Sequence, residues 1–129
     1  MKKFFTVLLL MAVFTISCDK NRSDENEIYF GSWKLSQTLI SDGSSSPNWQ
    51  NVSNGYTVIL NSDYKFTTSQ FSDCISGNYN ISNNIITFNY SCGNTTIPNK
   101  FKIVSSSNSE LVLSNINCDE ECKYKYTKQ

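Results

Sequence analysis

Residues 74–92 read CISGNYNISNNIITFNYSC. On either side of Asn83-Asn84 the residues alternate between apolar and polar with period two, the pattern of a strand with one buried face. Asparagine tolerates positive φ better than most residues, so the Asn pair reads as a two-residue hairpin turn. That turn sets Ile81 opposite Ile86, Tyr79 opposite Phe88 and Gly77 opposite Tyr90, apolar against apolar on one face. Residues 74–82 and 85–92 are therefore two paired antiparallel strands. The same register puts Cys74 and Cys92 on opposite faces.

Working outward, strand signals recur at short, even spacing with turn residues between them. Toward the N-terminus, residues 31–40 form a first strand with Trp33, Leu35 and Leu39 on one face, and residues 41–55 a long Ser/Gly/Asn/Pro loop holding Trp49. Residues 56–60 make a second strand, Asn61-Ser62-Asp63 a turn, and residues 64–71 a third. Toward the C-terminus, residues 93–98 read as a loop, 101–104 as the centre of a sixth strand, 105–108 as a turn, 110–116 as a seventh strand, 117–121 as a turn and 122–128 as the eighth. No helix signal of useful length is present.

Eight antiparallel strands in sequence order are most simply an up-and-down barrel, because closure removes exposed edges; a two-sheet β-sandwich is the alternative. Strands of seven or eight residues span about 25 Å. In so short a barrel aromatic side chains are expected to fill much of the interior, leaving a small cavity. A meander sorts its connections onto two rims. The turns at residues 61–63, 83–84 and 105–108 share one rim with the start of the first strand. The long loop, residues 72–73, residues 93–98 and residues 117–121 share the other. Binding usually resides in variable loops on a rigid scaffold, which points to the long-loop rim and to Trp49 as a ligand or partner contact.

The N-terminus begins Met1-Lys2-Lys3 and continues through an uncharged apolar run to Thr15-Ile16-Ser17-Cys18. A positive n-region and an apolar h-region too short for a comfortable membrane span are a signal peptide. With a small residue before Cys18, the run resembles the bacterial lipobox, whose cysteine receives diacylglycerol before cleavage. The expected organisation is a signal peptide over 1–17, the lipidated Cys18 and a polar tether over 18–28, and one β domain over 29–129. Each buried acyl methylene contributes about 0.8 kcal/mol, so two or three chains would hold the protein at its membrane. The expected location is the bacterial cell envelope, at the outer membrane, on its periplasmic face or at the cell surface, with the long-loop rim pointing away from the lipid.

The whole chain balances 11 Lys and Arg against 11 Asp and Glu, and loss of Lys2 and Lys3 leaves it slightly acidic. No basic patch survives to track phosphates, so nucleic acid is not an expected partner. The chain has no His, Asp63, Asp73 and Glu110 are scattered, and no Ser sits in a nucleophile elbow. An enzyme is not expected, nor a cofactor or metal. Besides Cys18, four cysteines remain, Cys74, Cys92, Cys118 and Cys122, all at the long-loop rim. An even number in an exported chain favours two disulfides. With Cys74 and Cys92 on opposite faces, bridges crossing between the two hairpins are the expected pairing.

The motifs Gly31-Ser32-Trp33, Ile59-Leu60-Asn61-Ser62-Asp63-Tyr64-Lys65-Phe66, Cys74-Ile75-Ser76-Gly77-Asn78-Tyr79 and Cys118-Asp119-Glu120-Glu121-Cys122-Lys123-Tyr124 resemble the lipocalin-like domain lipoproteins of bacteria. The resemblance implies a barrel with Trp33 at its closed end, and a binding module for a small apolar or amphiphilic ligand. Architectural analogy offers a protein-binding module, such as an envelope inhibitor of a hydrolase, as the alternative. The chain departs from the classical pattern in three ways: Tyr64 stands where the turn usually has Gly, no C-terminal helix follows, and no Arg is placed to cover Trp33.

Overall fold

A computed structural model of the protein describes residues 25–43 and 46–129. The leader, Cys18 and most of the tether lie outside the described residues. After a short 3-10 turn over Glu27–Tyr29 come β1 (Gly31–Ile40), β2 (Gln50–Asn51), β3 (Thr57–Leu60), β4 (Lys65–Thr68), β5 (Ser76–Ser82), β6 (Ile85–Cys92), β7 (Thr95–Ser106), β8 (Glu110–Asn115) and β9 (Cys122–Lys128). Every pairing is antiparallel, and β9 returns to pair with β1. Eight strands thus close an up-and-down barrel, and β2 is an additional short strand inside the long loop, paired to β1 at Gln37 and Thr38. The barrel, not the sandwich, is the observed architecture.

The deciding hairpin has the expected register, with Gly77 opposite Tyr90, Tyr79 opposite Phe88 and Ile81 opposite Ile86. Asn83 and Asn84 both take positive φ, 52° and 62°. Gly77 must remain glycine, because a Cβ there would run into the Asn89 carbonyl and the Phe66 ring. Among the described residues, the core cluster and the partly buried hydrophobics packed on it lie between Tyr29 and Tyr126.

Several sequence expectations need correction. Leu39 does not share the inner face with Trp33 and Leu35. The β1–β9 register shifts between Leu35 and Gln37, so Thr38 now pairs with the inward-facing Tyr124 and Leu39 with Lys123 on the outer wall. A bulge of one residue reverses every side chain beyond it. Residues 93–98 are not a loop: Gly93, at φ 63°, and Asn94 make a tight turn, and β7 begins at Thr95. The third and fourth strands are shorter than expected, so a connection over residues 69–75 opens between β4 and β5.

The end that the chain enters is sealed by aromatic rings. The Trp33 indole Nε1–H donates to the Tyr29 carbonyl at 2.7 Å, and its ring is 1 % exposed. Tyr64 takes φ 61° and accepts a hydrogen bond from Asn26 Nδ2 at 3.1 Å. Its ring lies 5.5 Å from that of Tyr79, whose hydroxyl donates to the Asn61 carbonyl at 2.7 Å. A left-handed backbone costs a non-glycine residue about 1–2 kcal/mol. Here the ring contacts that a glycine would lack offset that cost.

Candidate functional site

Rings fill the barrel interior. Phe66 meets Phe88 and Tyr90 edge-on, each at 5.0 Å, and Phe88 meets Phe101 at 6.0 Å. The void left among Trp33, Val58, Leu60, Phe88 and Leu111 is about 10 Å³. That is space for at most one water molecule. Among the described residues the barrel interior is packed and not hollowed into a calyx.

Above the apolar layers, toward the long-loop rim, lies a layer of phenols. The hydroxyls of Tyr56 and Tyr126 are 2.7 Å apart, and that of Tyr90 donates to Gln70 Oε1 at 3.4 Å. Burial pushes the Tyr126 phenol well above its ordinary pKa, with the neighbouring Tyr56 adding to the effect. Tyr56 is raised chiefly by burial, partly opposed by its bond to Tyr126, and Tyr90 is raised by burial and then by Tyr56. These phenols stay neutral at any physiological pH. They give the barrel mouth a polar but uncharged lining.

The open space lies beyond this layer. β6 and β7 pair along their whole length up to Cys92 and Thr95, whereas β8 joins β7 only from Phe101 onward. The hairpin therefore overhangs the barrel mouth. Ile97 pairs with the inward-facing Tyr90 and so faces the mouth from this overhang. Opposite it comes the 69–75 connection, whose Phe71 ring packs edge-on against Tyr90 at 5.5 Å. Between them is an apolar recess of about 220 Å³, walled by Phe71, Cys74, Tyr90, Cys92, Ile97 and Pro98. Asn99 adds an amide at its edge. Phe71 is 45 % and Ile97 52 % exposed, so this apolar surface meets solvent directly.

One wall of the recess is covalent. Cys74 bonds Cys92, with Cα atoms 4.7 Å apart, and Cys118 bonds Cys122. The expected crossed pairing is thereby corrected. Strand alternation extrapolated past Ser76 puts Cys74 on the wrong face, but the strand starts at Ser76, so the residues before it no longer follow alternation. Cys74 is free to turn toward Cys92, across from it on the neighbouring strand. The bridge ties the 69–75 connection to the overhanging hairpin and holds the two sides of the recess together.

The long-loop rim thus carries both disulfides and the recess, but Trp49 is not among the residues that line the recess. Its half-buried ring lies against the outer wall beneath Lys125 of β9, whose Nζ is 4.6 Å from the ring centroid and 3.9 Å from Glu110 Oε2. Phe71, Tyr90, Ile97 and Pro98 were not singled out in the sequence. The available signal was two large apolar residues, Phe71 and Ile97, in segments otherwise made of turn formers. Gly31, at φ 126°, lies under the Lys128 stem: a Cβ there would meet Lys128 Cε at 2.8 Å. Among the described residues no group of His, Cys, Asp and Glu could hold a metal ion, and no helix is long and apolar enough to cross a membrane.

No curated protein matches the chain. A family model does, the lipocalin-like domain, over residues 18–113. The match ends within β8, so β9, which closes the barrel, lies past it. Lipocalin-like proteins are in general binding proteins rather than enzymes, and their barrels serve as small-ligand binding modules. With a closed antiparallel barrel, a Gly-x-Trp start at its sealed end and a family match over most of its length, the chain belongs to the lipocalin-like domain family.

Proposed function

We propose that the protein is a lipid-anchored binding module of the bacterial cell envelope, and that it holds a small apolar or amphiphilic molecule in the recess at the rim distal to the membrane. The observation that carries this reading is the pairing of a filled interior, about 10 Å³, with an open apolar recess of about 220 Å³ at the mouth. Binding has moved from the inside of the barrel to its lip. The anchor rests on the leader and on Cys18 after Ser17. Because β1 starts at the sealed end, a tether there leaves the recess pointing outward.

Native mass spectrometry of the exported chain beginning at Asp19 tests the recess. A retained small-molecule adduct that disappears in Ile97→Asp is the expected result. An adduct unaffected by Ile97→Asp, or none after incubation with cell-envelope lipid extract, would sink it. Metabolic labelling with a fatty acid tests the anchor: label should enter the protein and be lost in Cys18→Ser.

One observation favours the protein-binding alternative. Ile40, Phe71, Ile75, Ile97 and Ile116 are each between 45 % and 55 % exposed, and all lie at or next to the distal rim. Exposed apolar anchors around a rigid, filled scaffold suit a protein partner. A partner captured from envelope fractions by the wild-type chain and not by Phe71→Asp, together with a clean apo mass, would establish this reading instead.

A further inference from the structure

The charge around the recess carries a further inference, which rests on the small-ligand reading and sharpens it. The distal connections are residues 41–56, 69–75, 93–94 and 116–121. They hold Asp42, Asp73, Asp119, Glu120 and Glu121 and not one lysine or arginine. Asp73 directly precedes Cys74 at the lip of the recess, and its carboxylate is exposed. The nearest lysines offset only one of these charges. Lys123 is ion-paired with Glu121, and Lys100 pairs with Thr87, on the outer side of β7.

The walls of the recess add a second reason. Phe71 and Tyr90 meet edge-to-face and both line it, with no charged side chain among the residues around them. The negative face of an aromatic ring attracts a cation, most strongly where water is displaced. A fixed excess of carboxylates around an apolar cleft raises the local concentration of cations and lowers that of anions. An anionic head group held here would lie beside the exposed Asp73, on a rim whose described connections also carry the exposed Asp119 and Glu120 and no lysine or arginine. We infer that the recess selects positively charged amphiphiles, with the hydrocarbon or ring in the recess and the ammonium group facing the distal carboxylates.

Three amphiphiles with the same eight-carbon chain test this: one with a trimethylammonium head, one with a sulfate and one with a neutral glucoside. Each is titrated calorimetrically into the chain beginning at Asp19, below its micelle concentration. The ammonium compound should bind about tenfold more tightly than the sulfate at low salt, with the gap narrowing as salt rises. Asp73→Asn with Asp119→Asn should shrink the gap several-fold. If the sulfate binds as tightly as the ammonium while the glucoside still binds, the charge selection is overturned and the recess reading stands. If none of the three binds, both readings fall.

Discussion

The Nζ of Lys128, near the end of the last strand, lies 5.0 Å from the centroid of the Trp33 ring, on the first. The two residues face each other directly in the β1–β9 register, so the cation covers the indole at the sealed end of the barrel. No arginine is needed for this: a lysine arriving from β9 covers the ring. Lys128→Met keeps the stem and removes the charge, and should cost about 0.5–1 kcal/mol. Trp33→Ala should cost about 3–5 kcal/mol, a large share of a small domain's stability. Urea unfolding of both variants checks the pair. No loss in Lys128→Met beside the full loss in Trp33→Ala would show that the indole matters only as volume.

The buried phenols predict alkaline weakness. Tyr56, Tyr90 and Tyr126 all have folded pKa values above the ordinary 10.0. A group whose pKa is raised on folding contributes stability that is full below its unfolded value and lost as pH rises through the folded one. Stability should therefore be flat through neutral pH and decline above about pH 10. Tyr126→Phe combined with Tyr56→Phe removes two of these groups and their mutual hydrogen bond. The double variant should be less sensitive to pH between 9 and 11 in denaturant midpoints than the wild type.

The two disulfides should differ in worth. Cys74–Cys92 closes a separation of 18 residues and Cys118–Cys122 one of 4. By chain entropy the first should stabilise by about 3 kcal/mol and the second by about 2 kcal/mol. Replacing each pair by serine and comparing midpoints tests the order. Loss of Cys74–Cys92 should also weaken ligand retention, because the recess loses a wall, whereas loss of the other bridge should not.

The Asn83-Asn84 turn offers a local test. Asn84 at φ 62° can be glycine without strain, and Asn-Gly is the preferred pair for such a turn. Asn84→Gly should keep or slightly raise stability. Asn84→Val should lose about 1–2 kcal/mol, the cost of a left-handed β-branched residue. Thermal melts of the two variants should move in opposite directions or leave glycine unchanged.

Much of this fold was legible because its strongest signals are local. The strands Gly31–Ile40, Ile85–Cys92 and Cys122–Lys128 fall where period-two alternation ends in turn residues, and the Asn pair sets its own register. The misreadings come from places where one residue breaks the period. The shift between Leu35 and Gln37 carries no sequence mark and turns Leu39 away from the inner face, although it stays buried. Pro98 suggested a loop, yet it lies within β7 before β8 joins, on an edge where a missing N–H costs no ladder bond. Cys74 stands just outside its strand, so alternation could not tell its partner. The recess was illegible for the same reason: it is assembled from a connection and an overhang, neither of which has a period to read.

The small bridge at the tip of β8 and β9 has a consequence for how copies of this protein meet. The strand that closes a barrel is the one most readily lent to a neighbour, provided the hinge before it can straighten. Cys118–Cys122 spans that hinge, between Asn115 at the end of β8 and the start of β9 at Cys122. Once oxidised, the chain must reverse within its own molecule, and β9 cannot reach across to a second barrel. Exchange of this strand between copies is thereby closed off as a route to association.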